Sequence, residues 1–254
     1  PATRVSSGHV ARYWQGSCDP TGNVMPDNDT DDTMGVDSRK SLAHAEVRMQ
    51  TRLRAKMLEA GVGMQDPDTV YLSYDTEIEA DVTLEPHVKI GSGVQIGEGT
   101  LVKAFSYLEG VRIGARATIG PFARLRPGTV LGDEVRIGNF VETKNARLGH
   151  GSKVNHLSYV GDAKLGINVN FGAGTITCNY DGFKKHITRI GDGAFIGSNS
   201  SLIAPVTIGA GAYLGSGTAV SGDVSADSLV VTRAPRRDVE GWAQSFRRKN
   251  QEAD

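Results

Sequence analysis

The chain has 254 residues, a formal net charge of −1, 39% hydrophobic and 6% aromatic residues, and 32 glycines. The balanced charge excludes the basic footprint of a nucleic-acid binder, and no apolar run reaches the roughly 18 residues of a membrane span. Cys18 and Cys178 stand too far apart for a disulfide framework or zinc motif, and the first 20 residues lack the apolar stretch of a signal peptide, so a cytoplasmic protein is expected.

Residues 1–36 show no apolar period and read as a loop or an appended remnant without chemistry. From Asp37 the pattern changes. Leu42, Ala45, Met49, Leu53 and Met57 recur at steps of three and four and Gly61 follows as a stop, which predicts one amphipathic helix within residues 37–61, capped by Asp37 or Ser38. That helix is a packing element or linker.

Residues 62–230 carry an internal repeat. An aliphatic residue returns every six positions at Ile78, Leu84, Ile90, Ile96, Val102 and Leu108. After a slip of one it resumes at Ile113, Ile119, Leu125, Leu131 and Ile137, with Thr143 completing the run. Leu148, Val154 and Val160 follow, then Leu165 and Phe171, and after an insertion Ile190, Ile196, Leu202, Ile208, Leu214 and Val220. No helix keeps one face with a period of six, whereas short strands joined by tight corners do, so the repeat predicts an all-β solenoid whose stacked triangular turns bury these residues. The high glycine count suits the corners.

Polar residues that break the repeat mark where chemistry is sought. Arg126 and Lys144 lie 18 positions apart and are expected to stack in successive turns, where two cations repel unless an anion such as phosphate lies between them; the plainer reading is a pair of solvated surface charges. His156 is the candidate general base, since a neutral imidazole accepts a proton near pH 7. Tyr159, Asn168, Asn170, Asn179 and Tyr180 supply hydrogen-bond partners suited to a sugar. The step of 19 residues from Phe171 to Ile190 predicts a protruding loop, and Ser198 adds a hydroxyl where the repeat prefers a small residue. Cys178 reads as a packed small residue, and His9, His44, His87, His150 and His186 lack a neighbourhood like that of His156.

The strings PFARLRPG, NFVETKNARLG, HLSYVGDA, NVNFGAGTITCNYDG, IGSNSSLIAPVTIG and GVDSRKSLAHAE resemble the acetyltransferase half of the bacterial bifunctional uridylyltransferase/glucosamine-1-phosphate N-acetyltransferase family, over residues 35 to about 245. The resemblance implies a left-handed parallel β-helix (the hexapeptide-repeat solenoid) preceded by one α-helix, assembled as a homotrimer with active sites between subunits. It implies transfer of acetyl from acetyl-CoA to the amine of glucosamine-1-phosphate, on the way to UDP-GlcNAc for peptidoglycan and lipopolysaccharide precursors, with no metal required. His156 matches the general base, Arg126 and Lys144 the phosphate-binding cations, and Tyr159 and Asn170 the sugar contacts. Ala173, Asn179, Tyr180, Ser198, Ser216 and Arg233 match acetyl-CoA positions, Ser216 standing where alanine is common, and Ser198 is a candidate oxyanion donor. The glycine-rich nucleotide loop of the family's uridylyltransferase domain has no counterpart in residues 1–36, so magnesium-dependent uridylyl transfer is not expected of this chain. The tail, residues 231–254, is basic around Trp242 and reads either as a solvated terminus or as a coenzyme clamp.

Three rival readings remain open at this point. One is another phosphorylated amino-sugar acceptor. A second is a γ-class carbonic anhydrase, which needs a third histidine about twenty residues upstream of His150 and His156 that the sequence lacks. A third is a non-catalytic β-helix scaffold, which explains the period but not the concentration of His, Tyr, Asn, Arg and Lys. No nucleic acid or membrane partner is expected.

Overall fold

The structure of the protein, a computed structural model, describes residues 35–232 and 238–251. Helix α1 (Arg39–Glu59) begins on a capping box: the Ser41 N–H donates to the Ser38 hydroxyl and the Ser38 N–H to the Ser41 hydroxyl, satisfying two of the donors that a helix start leaves free. It is followed by Gly61 at φ +90, a left-handed conformation that glycine adopts without steric cost. Of the apolar face read from the sequence, Met57 is buried and Leu53 packs against the core, whereas Leu42 is exposed. The stronger anchor is Gln50. Buried on the helix, it donates to the Leu72 carbonyl at 2.7 Å and accepts from the Leu72 N–H at 2.8 Å. At the start of the solenoid, where no earlier coil pairs with Leu72, a side chain thus completes its backbone hydrogen bonding.

The chain then winds about nine turns of a parallel β-solenoid. Each turn is a triangle of three short strands. The first face stacks ten strands, from Gly63–Met64 to Leu229–Val230, and includes Arg136–Asn139 and Lys153–His156. The second and third faces merge into one 14-stranded sheet, because Glu142–Leu148 and Tyr159–Leu165 run unbroken through the corner between them. Val102, Ile119, Ile137 and Val154 stack on the first face, Leu108, Leu125, Thr143 and Val160 on the second, and Ile96, Ile113, Leu131 and Leu148 on the third. All of these are buried to 3% exposure or less, as the six-residue period requires, and each aliphatic contributes about 1.5–3 kcal/mol of burial. Since a coil contacts chiefly the coils before and after it, that stabilisation accrues turn by turn.

The insertion is larger than the count from Phe171 to Ile190 implies, because those residues lie on different faces. Phe171 stacks on Ile196 and Leu165 on Ile190, 25 residues apart instead of the usual 17 or 18. The excess sits in residues 179–187 at the corner between the second and third faces. Thr177 takes the inward place that an aliphatic count misses. Its hydroxyl donates to the Gly161 carbonyl at 3.0 Å and accepts from the Gly161 N–H at 2.8 Å, so a polar side chain occupies the core fully paired.

Most coils turn their corners through residues with positive φ. Between the second and third faces these are Gly93, Gly110, Gly128, Asn145 and Asp162, types that tolerate that region. Between the first and second faces they are His87, Phe105, Phe122, Phe140 and Leu157, at φ from 51 to 61, where a side chain with Cβ costs about 1 kcal/mol. The rings stack in file, with centroids 4.8, 5.0 and 5.3 Å apart. At the far end, helix α2 (Trp242–Gln251) places Trp242 and Phe246 in a stacked, exposed pair, so part of the basic tail is helical. Arg236 and Arg237 lie outside the described residues.

Candidate active site

Three groups of residues gather around the second face. The first stands at its corner with the first face. His156 ends the strand Lys153–His156 and is in register with Asn139 one coil earlier. Its Nδ1 lies 3.0 Å from Asn139 Oδ1. That oxygen only accepts, so Nδ1 is the donor, and in a neutral imidazole of this tautomer the lone pair is on Nε2. The buried Ser158 hydroxyl (2.7 Å) and the Gly174 N–H (3.2 Å) both donate to the His156 carbonyl. The backbone is therefore pinned while the ring stays exposed. Beyond His156 the same corner position is filled by Ala173, Ser198 and Ser216 in successive coils, a register fixed by the stacking of Phe171, Ile196 and Leu214. At about 4.8 Å per coil this is a file of small residues roughly 14 Å long with an imidazole at its foot. Asn170 points outward on the adjoining first face, half-buried between Lys153 and Phe195.

The second group lies along the face itself. Arg126 and Lys144 each follow the inward residue of their strand and stack as the 18-residue spacing requires. The expected bare pair of cations needs correction, however, because Arg126 Nη1 is 2.7 Å from Glu142 Oε1 with both side chains about one-third exposed. Beside this ion pair stand Lys144 and Lys185. The nearby positive charge of Lys185, with desolvation and Arg126 adding to it and Asp162 opposing, holds the Lys144 pKa below the ordinary lysine value. Tyr159 belongs to the same group. A Cβ on Gly161, the register partner of Lys144, would meet the Tyr159 phenol oxygen at 2.3 Å, so the ring lies along the face over Gly161 and carries its hydroxyl toward Lys144.

The inserted segment is the third group. It folds as a short hairpin in which Tyr180 and Lys185 pair antiparallel. The Asp181 carboxylate accepts from the N–H groups of Phe183 (2.8 Å) and Lys184 (2.6 Å) and pairs with the His186 ring at 2.7 Å. The Lys184 hydrogen bond foremost, then those of His186 and Phe183, holds its pKa far below the usual carboxylate range. His186, which the sequence leaves without a neighbourhood, is thereby a hairpin residue. Asn179 is buried at the root, where its amide donates to Asp162, which also accepts from Asn145. The Tyr180 hydroxyl donates to the Gly182 carbonyl.

The expected acetyl-CoA positions thus fall into two sets. Ala173, Ser198 and Ser216 share one file, while Asn179 and Tyr180 stand at the opposite edge of the second face, the Asn179 side chain bonded to Asp162 of the solenoid and the Tyr180 side chain to the hairpin. Arg233 lies outside the described residues. Sequence reasoning passed over Asn139, Glu142, Gly161 and Lys185. The first two could have been sought one coil, 17 and 16 residues, from His156 and Arg126. Among the described residues no cluster of three or more His, Cys, Asp or Glu could hold a metal ion, and no helix is long and apolar enough to cross a membrane.

A six-residue repeat wound into a parallel solenoid, here with an oriented imidazole at the foot of a small-residue groove, is the pattern of a hexapeptide-repeat protein. Residues 110–145 and 187–222 match the family pattern "Bacterial transferase hexapeptide (six repeats)", and the chain belongs to that family. Among curated proteins it is homologous to the C-terminal half of "Bifunctional protein GlmU". It is 54% identical to the Azorhizobium caulinodans protein over 224 residues, covering 88% of this chain and 50% of that protein. Against the Sphingopyxis alaskensis protein it is 51% identical over 218 residues, covering 86% and 48%. The chain therefore spans about half the length of the curated relatives it matches. Among solved structures, LpxA from Acinetobacter baumannii aligns with TM-score 0.46 and 20% identity over 73% of this chain and 77% of that one.

Proposed function

We propose that the chain is a glucosamine-1-phosphate N-acetyltransferase using acetyl-CoA, working in the cytoplasm toward UDP-GlcNAc as a homotrimer with active sites between subunits and no metal. The observation that carries this reading is His156, whose Nδ1 is tied to Asn139 and whose Nε2 is free at the foot of the Ala173–Ser198–Ser216 file. Nε2 accepts the proton that the sugar amine loses as its nitrogen bonds to the thioester carbonyl carbon; the carbon–sulfur bond breaks and the thiol leaves with a proton. The file suits the coenzyme arm, since it offers backbone groups of successive coils without a bulky side chain in the way. Ser198 is the hydroxyl nearest the start of the file for the developing oxyanion.

A phosphorylated acceptor is favoured over a neutral sugar by Lys144, Lys185 and Arg126. Neighbouring ammonium groups repel, and a phosphate placed beside them relieves that repulsion, with the Arg126 nitrogens not engaged by Glu142 at hand. Tyr159 stands on the second face between Lys144 and the His156 corner and Asn170 on the first face beyond that corner, so the two bracket the place where the sugar ring belongs. The homotrimer is supported by the division of the coenzyme positions: a neighbour's hairpin, packed at the His156 corner, returns Asn179 and Tyr180 to the file.

The test is release of coenzyme A thiol from acetyl-CoA with glucosamine-1-phosphate, run beside unphosphorylated glucosamine and beside His156→Ala. Turnover confined to the phosphorylated sugar and lost in the variant is expected. Equal turnover of both sugars would remove the phosphate role, and full activity of the variant would remove His156 from the chemistry.

A further inference from the structure

At the corner between the second and third faces the side chains change character from coil to coil. Gly93, Gly110 and Gly128 hold the positive-φ position in the lower coils, and Asn145 and Asp162 hold it in the next two, both at φ 46. Glycine meets that backbone demand without steric cost, so the change to Asn and Asp serves the side chains and not the turn. One coil further the same column reaches Asn179, where the inserted hairpin leaves the solenoid. The three residues form a ladder. The Asn145 amide donates to one Asp162 carboxylate oxygen at 2.6 Å and the Asn179 amide to the other, and Asp162 and Asn179 are both buried.

An ionised carboxylate only accepts hydrogen bonds. Asp162 therefore turns the nitrogen of both amides toward itself and both amide oxygens away. The Asn145 oxygen points to the coil before, where a Cβ on Gly128 would meet it at 3.2 Å. The Asn179 oxygen accepts from no group among the described residues, whose buried side-chain polar atoms without a partner belong to Asp75, Thr76 and Thr188. It therefore reaches the surface. The Asn179 backbone is held as well, since the His186 N–H donates to its carbonyl at 2.8 Å across the neck of the hairpin. An acceptor of fixed direction thus stands on a fixed backbone. The charged neighbour that feels Asp162 is Lys144, with Lys185 and Arg126 beside it.

We propose that Asp162 is a positioning residue: it fixes the Asn179 amide with its oxygen outward, and this oxygen accepts an N–H from the amide-bearing arm of the coenzyme. The inference rests on the acetyl-CoA reading and adds to it the polarity of one contact and the buried group that sets it. Asp162 acts only through Asn179.

The KM for acetyl-CoA is measured across about pH 5.5 to 8.5 for wild type, Asn179→Asp and the swap Asp162→Asn/Asn179→Asp. In the single variant two carboxylates face each other and share one proton, so one pKa rises above the ordinary carboxylate range. Below that pKa the proton bridges the pair and the ladder holds; above it both ionise and the ladder opens. Its KM relative to wild type should therefore climb with pH, to about tenfold or more. In the swap the new amide at 162 donates to the new carboxylate at 179 and accepts from Asn145, so every hydrogen bond of the ladder survives and position 179 still shows an acceptor. Its KM should return to within about threefold of wild type at every pH. Wild type and swap carry the same net charge and the same His186, Lys144 and Lys185, so a difference between them reads the contact and not the field. A swap that is folded by circular dichroism with KM raised about tenfold or more overturns the proposal, because its position 179 has lost only an N–H. A folded Asn179→Asp with the wild-type KM at every pH also overturns it and reduces the ladder to a fastening of the hairpin. Should one variant not fold, the other decides alone. A wild type that neither binds nor turns over acetyl-CoA overturns the acetyl-CoA reading, and the inference with it.

Discussion

Replacing Asn139 by alanine removes the one side chain that hydrogen-bonds the His156 imidazole, the proposed general base, among the described residues. The contact is an ordinary 3.0 Å hydrogen bond between half-buried and exposed groups, of net worth about 0.5–1.5 kcal/mol. Its loss frees the ring to rotate and lets the proton move to Nε2, the tautomer that cannot accept from the amine. At about 1.4 kcal/mol per factor of ten, kcat/KM for glucosamine-1-phosphate should fall roughly two- to tenfold. Removing the imidazole altogether should cost on the order of 10²–10⁴, so Asn139→Ala belongs between wild type and His156→Ala. The assay is thiol release at limiting acceptor with saturating acetyl-CoA. Asn139→Asp keeps an acceptor at the same place and should recover most of the loss. An alanine variant at the wild-type rate would refute the orienting role, and an aspartate variant as impaired as alanine would show that the position matters for packing instead.

Gly161→Ala forces the Tyr159 ring off the face, since the added methyl meets its hydroxyl oxygen at 2.3 Å; the KM for the phosphorylated sugar should rise about fivefold or more, with little change in thermal stability because the ring end is free to swing. Lys185→Ala removes the charge that disfavours protonation of Lys144, so the Lys144 pKa should climb toward the ordinary lysine value; NMR titration of labelled lysines reads it, and an unmoved value would count against the contact. Gln50→Ala strands the Leu72 N–H and C=O. At about 1–3 kcal/mol for each group left unpaired, roughly 3 kcal/mol of stability should go, a fall of about 6–12 °C in Tm by calorimetry.

The solenoid was legible because its inward positions obey one rule, aliphatic every sixth residue, and packing enforces it in nearly every coil. Where the rule gives way the reading did too. Thr177 fills an inward place as a hydroxyl, so an aliphatic count slid from Phe171 on one face to Ile190 on another and undercounted the insertion. Gln50 escaped notice because a buried amide looks in sequence like any polar residue of a wet helix face. The site shows the same division. His156, Arg126 and Lys144 stand out as breaks in the repeat, and the family resemblance supplies their roles. Asn139 and Glu142 act through partners one coil away, and Gly161 through the absence of a side chain, none of which composition or local pattern announces. Lys185 reaches Lys144 only because the hairpin doubles back, a path set by the hydrogen bonds of Asp181.

The hairpin at residues 179–187 leaves and rejoins the solenoid without disturbing it: Thr177 still stacks on Leu202, and Leu165 on Ile190. Scaffold and recognition element are thus mechanically decoupled, because the ladder on either side closes whatever the corner holds. Natural variation or deliberate grafting can lengthen, shorten or recharge this segment and retune acceptor preference while every coil keeps its register. The closing of one turn over such an excursion makes the fold a chassis on which specificity is exchangeable.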